Sequence, residues 1–566
     1  MMMKKISLFL TAVLLSALVA QAGDRVVERT YLSTDKDVYV AGDLLWYSAF
    51  CVDVAKGTPS PISDIAYIEL HGNGMLAATG KVALVNGRGA GRLELPASLP
   101  TGNYRLVAYT SQNKAESGYD YSGLASKTVS VFNVFSTERV KDGVEVVSDA
   151  DYATTASTVT PVTPVTPAGV EVSWADGAVN VVNKTGKALS LSVSVYHDDG
   201  ILSPVNPTIA DFAAACAQVG PRTLDSGVVP EYEGEIIHGR ITGLDAETVQ
   251  TLAGHYAFLS TPSDKSDVYA SSIDENGRLV FYTGNLFGDK ECICEIEGID
   301  PSLNCFIELE SPFVNAPVAD VAPLRMTASL QGALQDRSFG MQVERRFLAD
   351  TLYDFLPVRD NGLFEVDEIV YPLDDYTRFT TMEEVFVEFI PEIRARRRSD
   401  GSRDIQILLL KGTQSLFSQG QTLMLLDGVP VFDQQKIMEY DPLLVESIHI
   451  YPRTHYIGTR VYDGIVNFVT YKHNLPAFHF GGNARVIDWQ GASWPMAMTG
   501  AALQERPDIP DYRQTICWHP LLDVAPGAEV AVPCKQPDYK GRFIVVVEGL
   551  SADGAPVRAA SAFELR

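Results

Sequence analysis

Residues that commonly carry out chemistry are present in this chain, but their spacing matches no catalytic motif. The sequence contains no G-x-S-x-G elbow, no H-E-x-x-H pair and no phosphate-binding loop, and its nine histidines are scattered. Neighbouring acids could act as a general acid and base, namely Asp198 with Asp199 and the group Asp374, Asp375, Glu383 and Glu384. Such neighbours are common in a chain this acidic. We therefore predict no catalytic residue, no cofactor and no enzymatic activity.

The cysteines favour a structural role. Seven cysteines in an exported chain allow up to three disulfides. Cys517 and Cys534 flank a predicted hairpin and could pair, and either Cys292 or Cys294 could reach Cys305 across another hairpin. A zinc site needs close pairs of Cys or His plus a second pair. We predict paired or buried cysteines and no metal.

The segment from Gln421 to Lys472 carries the clearest local signals. An apolar run stops at Asp427 and Gly428, a dipeptide typical of a tight turn because Gly adopts positive φ freely and Asp bonds nearby backbone. Gly458 and Gly464 are expected to bracket a loop before the next strand. We predict that all four residues have structural roles in turns, that Gly428→Val destabilises the fold, and that Asp427→Asn is nearly silent in partner binding.

The landmarks of this segment resemble the plug domain of TonB-dependent outer-membrane receptors. They are L-x-x-x-D-G-V-P-V from Leu423 to Val431, D-P-x-x-V-E-x-I from Asp441 to Ile448, and D-G-I-V-N-F-V-T from Asp463 to Thr470. In that family a large β-barrel follows the plug, whereas only Asn474 to Arg566 follow here. The resemblance implies a plug-like domain without its barrel, either docked on another protein, such as an outer-membrane barrel, or free as an α/β module.

A second resemblance lies near the start of the chain. The pattern D-K-x-x-Y-x-x-G-x-x-x-W from Asp35 to Trp46, followed by G-x-Y-x-L from Gly102, resembles the macroglobulin-type β-sandwich of α2-macroglobulin-like proteins and of many Bacteroidetes surface proteins. No Cys-Gly-Glu-Gln thioester is present, so covalent protease trapping is not implied. Trp46 and Tyr109 could bind carbohydrate, but aromatic residues at strand spacing more often lie in a core.

The first residues predict export. Met1 to Ala22 has a basic start, an apolar core and a small-residue cleavage site before Gly23, as in a secretory signal peptide. No later stretch is long and apolar enough to span a membrane. We expect an exported protein, located in the periplasm, associated with the outer membrane or exposed at the cell surface, with no transmembrane span after the signal is removed.

Periodicity and turn residues divide the chain into a mainly β, multidomain protein with tandem macroglobulin- or immunoglobulin-like sandwiches and one α/β plug-like domain. The Thr/Pro repeat predicts an extended linker. The predicted divisions are a signal peptide (1–22), a macroglobulin-like sandwich (23–150), a Thr/Pro linker (151–169), a second sandwich (170–230), a third sandwich of macroglobulin or carboxypeptidase-regulatory type (231–320), a helical connection (321–356), the plug-like domain (357–475) and a C-terminal β domain (476–566).

Charge limits the choice of partners. A formal net charge of −26 argues against nucleic acid, which requires clusters of Lys and Arg. The exception is the run Arg394 to Arg398 with Arg403 nearby, which is either a solvated connection between a helix and a strand or a contact for an anionic group.

Three functional classes follow. The first is a non-enzymatic scaffold or binding protein of the cell envelope that contacts proteins or polymers. The second is an accessory component of an outer-membrane TonB-dependent transport or secretion system. The third is a protease inhibitor or an enzyme. The expected partner in the first two classes is another envelope protein.

Overall fold

The computed structural model describes residues 27–116, 121, 123–136, 143–158, 169–219, 229–263, 267–284, 286–300, 303–318, 321–348, 352–358, 368–397, 403–411, 414–498 and 508–566. The predicted signal peptide, Met1 to Ala22, and residues 159 to 168 of the predicted linker lie outside this part of the chain. Strands make up 48% of the structure and helices 14%, so the prediction of a mainly β, multidomain fold is confirmed.

The strands are numbered in chain order. They are β1 (Glu28–Thr34), β2 (Val38–Val40), β3 (Leu44–Asp53), β4 (Thr58–Pro59), β5 (Ile65–Gly72), β6 (Met75–Ala83), β7 (Arg88–Glu94), β8 (Gly102–Tyr109), β9 (Ser126–Phe132), β10 (Val144–Val146), β11 (Val170–Ala175), β12 (Ala178–Asn183), β13 (Leu189–His197), β14 (Ile236–Thr242), β15 (Tyr256–Thr261), β16 (Asp267–Ser272), β17 (Arg278–Tyr282), β18 (Asp289–Ile296), β19 (Phe306–Leu309), β20 (Leu324–Met326), β21 (Tyr353–Phe355), β22 (Ile369–Pro372), β23 (Ile393–Arg397), β24 (Arg403–Lys411), β25 (Gln414–Phe417), β26 (Leu423–Leu426), β27 (Val429–Pro430), β28 (Val445–Ile457), β29 (Arg460–Thr470), β30 (Arg485–Gln490), β31 (Met496–Met498), β32 (Thr515–Val524), β33 (Glu529–Pro533), β34 (Gly541–Ser551) and β35 (Pro556–Leu565).

The helices are short. The α-helices are α1 (Ser111–Glu116), α2 (Asp149–Thr158), α3 (Ile209–Cys216), α4 (Ala246–Thr251), α5 (Gln331–Val343), α6 (Met382–Phe389) and α7 (Gln434–Glu439). A π-helical turn, Glu344–Leu348, extends α5, and 3₁₀ turns cover Ala328–Leu330, Leu373–Asp375 and Pro442–Leu444. Among the described residues, no helix is long and apolar enough to cross a membrane.

The chain forms two compact units. The first unit takes its described residues from Met1–Tyr232, Phe313–Val358 and Ala492–Arg566, and the second takes them from Glu233–Pro312 and Arg359–Gly491. Each unit is therefore built from segments that are distant in sequence.

The first unit contains two β-sandwiches. In one, β1, β3, β4 and β7 form a sheet that packs on the sheet β2-β9-β8-β5-β6, and side chains of both sheets share one apolar core. In the other, the sheet β11-β12-β33 packs on the sheet β21-β31-β32-β13-β34-β35. Strand β13 lies between β32 and β34.

The second sandwich corrects two predicted boundaries. The segments 170–230 and 476–566 were expected to be separate domains, but β32 to β35 complete the sheets that β11 to β13 begin. Three strands from 170–230 cannot enclose a core alone, because a sandwich needs two covered sheets. The C-terminal strands supply the missing apolar faces, including Val545 and Val547.

The predicted linker is also partly wrong, because helix α2 covers its first residues. Ser148 Oγ accepts from Asp151 N at 3.2 Å and donates to Asp151 Oδ2 at 2.6 Å, which caps the start of the helix. The helix ends at Thr158, before Pro161, so the prolines that exclude helix come too late to prevent it.

The second unit combines a β-sandwich with an α/β module. The sandwich consists of β17-β14-β19 and β16-β15-β18-β30. Its edge strand β30 comes from the segment predicted as a C-terminal domain, which is a further departure from the boundary at 476.

The α/β module contains the sheets β22-β28-β29-β26-β27 and β23-β24-β25. Helix α6 begins at the cap Thr381, whose hydroxyl accepts from Glu384 N, and it buries Met382, Val385 and Phe386, as its amphipathic sequence predicts. These side chains share a core with apolar residues of both sheets and with Ile437 of α7.

Candidate functional site

Asp427 and Gly428 form the two-residue turn between β26 and β27. Leu426 pairs with Val429, and both turn residues have positive φ, 49° for Asp427 and 81° for Gly428. Two consecutive positive φ values fit a type I′ hairpin, for which Asp-Gly is a favoured pair. The structure thus has the turn that the sequence indicates.

The carboxylate of Asp427 does more than stabilise its own turn. The residue is fully buried, and its oxygens accept hydrogen bonds from Thr470 N at 2.6 Å, Thr470 Oγ1 at 2.7 Å and Leu475 N at 2.8 Å. Because β26 runs parallel to β29, the turn lies next to the end of β29. The Asp427 carboxylate therefore connects the last residue of β29 to the residues that follow this strand. An amide cannot accept from all three donors, so the structure adds the expectation that Asp427→Asn lowers the stability of the fold. Its near-silence in partner binding stays a prediction.

Gly458 and Gly464 do not bracket a loop, as the sequence suggested. Gly458, at φ 57°, lies in the tight turn of the long hairpin formed by β28 and β29. Gly464, at φ 87°, lies inside β29 where the register with β28 shifts. A Cβ on Gly464 would collide with Ile407, so this glycine allows β24 to pack closely on β29.

Cys517 and Cys534 are free thiols, so the possible disulfide is not formed in the structure. Both side chains are buried in the core of the second sandwich. Burial, and then the hydrogen bond with Cys517, raise the pKa of Cys534 far above the ordinary range. The two thiols are close neighbours, as their positions in the sequence indicated, but a buried protonated thiol is a poor nucleophile.

The other predicted cysteine cluster is also structural. Cys292 and Cys294 lie two residues apart on β18 and face the same core as Cys305. All three are buried, and burial is the first cause of the raised pKa of Cys294 and of Cys305. No group of three potential metal ligands converges within the described part of the chain.

The motif of the macroglobulin resemblance is a buried polar network. Asp35 accepts from Tyr39 OH at 2.8 Å and Trp46 N at 3.1 Å, and from Lys36 Nζ at 3.0 Å and Thr515 Oγ1 at 2.6 Å. The motif therefore fixes the turn before β3 and connects it to β32. Trp46 is 2% exposed and Tyr109 is fully buried, which confirms their core role.

A half-buried carboxylate lies beside this network. Glu344 accepts a hydrogen bond from Tyr353 OH. Burial first, and then the charge of Asp43, raise the pKa of Glu344 to about 7 against the effects of the Tyr353 hydrogen bond and of Lys36. No pattern in the sequence singles out this residue, because its environment comes from distant segments.

Sequence patterns also missed a cluster around Glu69 in the first sandwich. The side chain is fully buried, and it accepts a hydrogen bond from Val314 N at 2.8 Å. Its other side-chain contacts are with His71 Nε2 at 2.7 Å and with the hydroxyls of Tyr109 and Tyr121. Burial raises the pKa of Glu69, but the bonds from His71 and the two tyrosines outweigh it and lower the pKa to about 2. The carboxylate is a charged cross-link between β5, β8 and the segment that starts at Phe313.

A cleft of about 1260 Å³ borders this cluster. Among its lining residues, His71 is the one titratable side chain, and its ring is held by Glu69. Two of the lining asparagines are engaged in structural bonds: Asn103 Nδ2 donates to Ala322 O at 2.8 Å, and Asn133 Nδ2 donates to Leu99 O at 2.7 Å. Among the described residues that line the cleft, no second titratable side chain accompanies His71.

The acidic pairs flagged by the sequence are dispersed in ion pairs and caps. Asp199 binds Arg337, with a contact of 2.9 Å, and Asp198 lies 3.5 Å from Arg542. Asp374 is bound by Arg378 and Tyr471, Glu383 pairs with Arg403, and Glu384 belongs to the cap of α6. Five of the six flagged carboxylates therefore have a local structural role, and Asp375 is exposed at the end of the 3₁₀ turn Leu373–Asp375.

The arginine run forms the exposed strand β23, not a connection between elements. Arg394, Arg396 and Arg397 are exposed, and Arg398 lies outside the described residues. The guanidinium of Arg394 lies 3.9 Å from the ring centre of Phe417 and bonds Gln406 Oε1 at 2.8 and 3.0 Å. This strand is the candidate site of contact with an anionic group.

Comparison with known proteins gives distant structural matches. No protein-family model and no curated protein matches the sequence. Escherichia coli α2-macroglobulin activated by porcine elastase is 10% identical, with 95% of this chain and 43% of that chain covered and a TM-score of 0.23. Salmonella α2-macroglobulin reacted with methylamine is 9% identical, with 96% and 24% covered and a TM-score of 0.16.

An adhesin of Escherichia coli, FdeC, is 12% identical, with 54% of this chain and 66% of that chain covered and a TM-score of 0.15. This chain spans less than half the length of the two macroglobulins. At TM-scores this low, the matches provide no basis for assigning a family or a function.

Proposed function

We propose that the protein is a non-enzymatic scaffold or binding protein of the bacterial cell envelope. The proposal rests on one observation: the buried carboxylates of this protein serve to hold segments of the chain together. The carboxylates of Asp35, Glu69 and Asp427 each bind fixed donors from other segments. Groups held in this way stabilise a scaffold, whereas a catalytic group must remain available to a substrate.

The predicted signal peptide supports the envelope location. The sequence from Met1 to Ala22 has the organisation of a signal peptide, and the net charge of −26 favours solubility and basic or polar partners over nucleic acid. The expected partner is another envelope protein.

A second candidate is an accessory role in an outer-membrane TonB-dependent transport or secretion system. It is favoured by the α/β module, in which α6 and α7 share a core with a mixed sheet that contains the plug-like landmarks. In this version, the partner is an outer-membrane barrel.

Crosslinking in intact cells of the native host tests the proposal. We expect the chain, with its N-terminus at or near Gly23, to crosslink reproducibly to an envelope protein, and a barrel protein among the products would favour the second candidate. A chain that retains Met1 would contradict export. Turnover of a small-molecule or peptide substrate by the purified chain would contradict the non-enzymatic role.

A further inference from the structure

We propose that a cavity in the first unit binds an uncharged, apolar small molecule. The cavity has a volume of about 480 Å³, and its wall is formed by β1, β8, the chain from 123 to 127, and helix α3 with its flanking residues. This inference adds a ligand to the proposed contact with an envelope protein, and either one can be wrong without the other.

The cavity lies at the side of the first sandwich. Strands β1 and β8 belong to its two different sheets, and Leu32 of β1 shares a core with Leu106 and Ala108 of β8. Successive side chains of a strand point to opposite faces, so Tyr31 lies on the outer face of β1. Helix α3 packs there, with the ring centres of Tyr31 and Phe212 5.4 Å apart. The wall of the cavity is therefore made of packed elements that hold it in place without a ligand.

The wall extends from the surface of the unit into its core. Asp211 and Ala215 of α3 are exposed, whereas Leu106 and Ala108 are 1% and 2% exposed. All four residues line the cavity. A ligand that enters beside α3 can thus reach the core of the sandwich.

An empty space of this kind is unfavourable in a protein core. Protein interiors contain few voids larger than a water molecule, and most of the buried side chains on this wall are apolar, among them Leu32, Leu106 and Phe212. Water gains little from filling an apolar space, because it needs several polar partners. The volume also falls within the roughly 300–1,000 Å³ of small-molecule pockets. An apolar ligand would supply the missing packing contacts.

The charged groups on the wall are bound within the protein. Lys127 Nζ lies 2.9 Å from Asp37 Oδ1, and the Asp211 carboxylate belongs to the capping box of α3. Arg29 Nε donates to Gly123 O at 3.1 Å. A charged ligand would have to compete for these groups and would lose its hydration in the apolar part of the cavity. The wall therefore favours an uncharged ligand.

Calorimetric titration of the full-length mature chain with linear alcohols tests the class of ligand. Each buried methylene adds affinity, so decanol should bind roughly 15-fold more tightly than octanol. Decanoate has the same number of carbons as decanol but is ionised at neutral pH, and it should bind at least about tenfold more weakly than decanol. Equal affinities for octanol and decanol, or for decanol and decanoate, would overturn the inference.

Two neighbouring alanines of α3 provide a matched pair of variants. Both are exposed, and Ala215 lines the cavity, whereas Ala214 is not part of its wall. Ala215→Trp should fill the entrance and weaken decanol binding at least about tenfold, while Ala214→Trp should bind within about twofold of the unchanged protein. Equal binding by the two variants would show that the alcohol binds elsewhere.

Cys216 provides a local measure of occupancy. Its thiol lies on the wall of the cavity and is 6% exposed. Decanol at saturation should slow the labelling of this thiol by N-ethylmaleimide, measured by peptide mass spectrometry, and decanoate at the same concentration should not. An unchanged labelling rate with decanol bound would contradict the assignment of the cavity.

A competition separates a free apolar molecule from a membrane lipid. A short-chain phospholipid at the concentration of decanol should not displace it, and displacement would assign the cavity to a lipid with a charged head group and overturn the inference. If no alcohol binds while the chain still crosslinks to an envelope protein in cells, the proposed function stands and only the ligand is wrong.

Discussion

Replacing Asp427 by Asn should destabilise the α/β module. The wild-type carboxylate accepts from Thr470 N, Thr470 Oγ1 and Leu475 N. The amide has almost the same size, but its NH₂ group must face at least one of these donors. Thr470 Oγ1 can rotate to accept instead, whereas a backbone N–H cannot. A hydrogen bond to a buried charged group is worth about 1.5–3 kcal/mol, so we expect a loss of about 2–3 kcal/mol from one lost bond and weakening of the others.

Hydrogen exchange measured by mass spectrometry resolves this loss within one part of a large protein. At about 1.4 kcal/mol per factor of ten, peptides from β29 should exchange roughly 30- to 150-fold faster in Asp427→Asn. The matched control is Asp433→Asn, because Asp433 is the exposed cap of α7 and Asn is an equally good cap. If both variants exchanged within about threefold of wild type, the assignment of Asp427 as a buried structural acceptor would be wrong.

Three other outcomes are expected. Gly428→Val should cost about 1–3 kcal/mol in the same exchange assay, because a branched residue at a φ of 81° is strained, whereas exchange at the wild-type rate would show that the turn adapts. Glu69→Gln should destabilise the first unit at pH 7. Since the wild-type pKa is lowered to about 2 from an unfolded value of about 4.3, the stabilisation is present above the unfolded value and lost as pH falls towards 2, so thermal unfolding curves of the two proteins should converge in acid. Glu344 has the opposite sign: its pKa is raised to about 7, so wild-type stability should fall as pH rises from about 4.3 to 7, and Glu344→Gln should show a flatter profile over that range. Parallel profiles for Glu344→Gln and wild type would contradict the assignment.

Local features of the fold could be predicted because they depend on neighbouring residues. The Asp427-Gly428 turn follows from the backbone preferences of two adjacent residues. Helix α6 follows from a Thr cap, two acids in its first turn and one apolar face. The motif from Asp35 to Trp46 likewise indicated a β-sandwich, and its residues lie close together in sequence.

Long-range features could not be predicted in the same way. Periodicity identifies β32 and β34 as strands, but it does not reveal that β13 lies between them, more than 300 residues earlier in sequence. Thr470 and Leu475 supply the three donors to Asp427. They come within hydrogen-bonding distance of the turn only when β26 pairs with β29. The environments of Glu69 and Glu344 likewise depend on tertiary contacts between segments that are distant in sequence.

The central claim is that this chain acts by binding another envelope protein, and the mass of its native complex tests it most directly. The chain is tagged in its native host, lightly crosslinked, extracted from the envelope and weighed by mass photometry. We expect particles of fixed stoichiometry that are heavier than one chain, that contain a second protein, and that dissociate in high salt when crosslinker is omitted. Particles with the mass of a single chain under both conditions would contradict the claim.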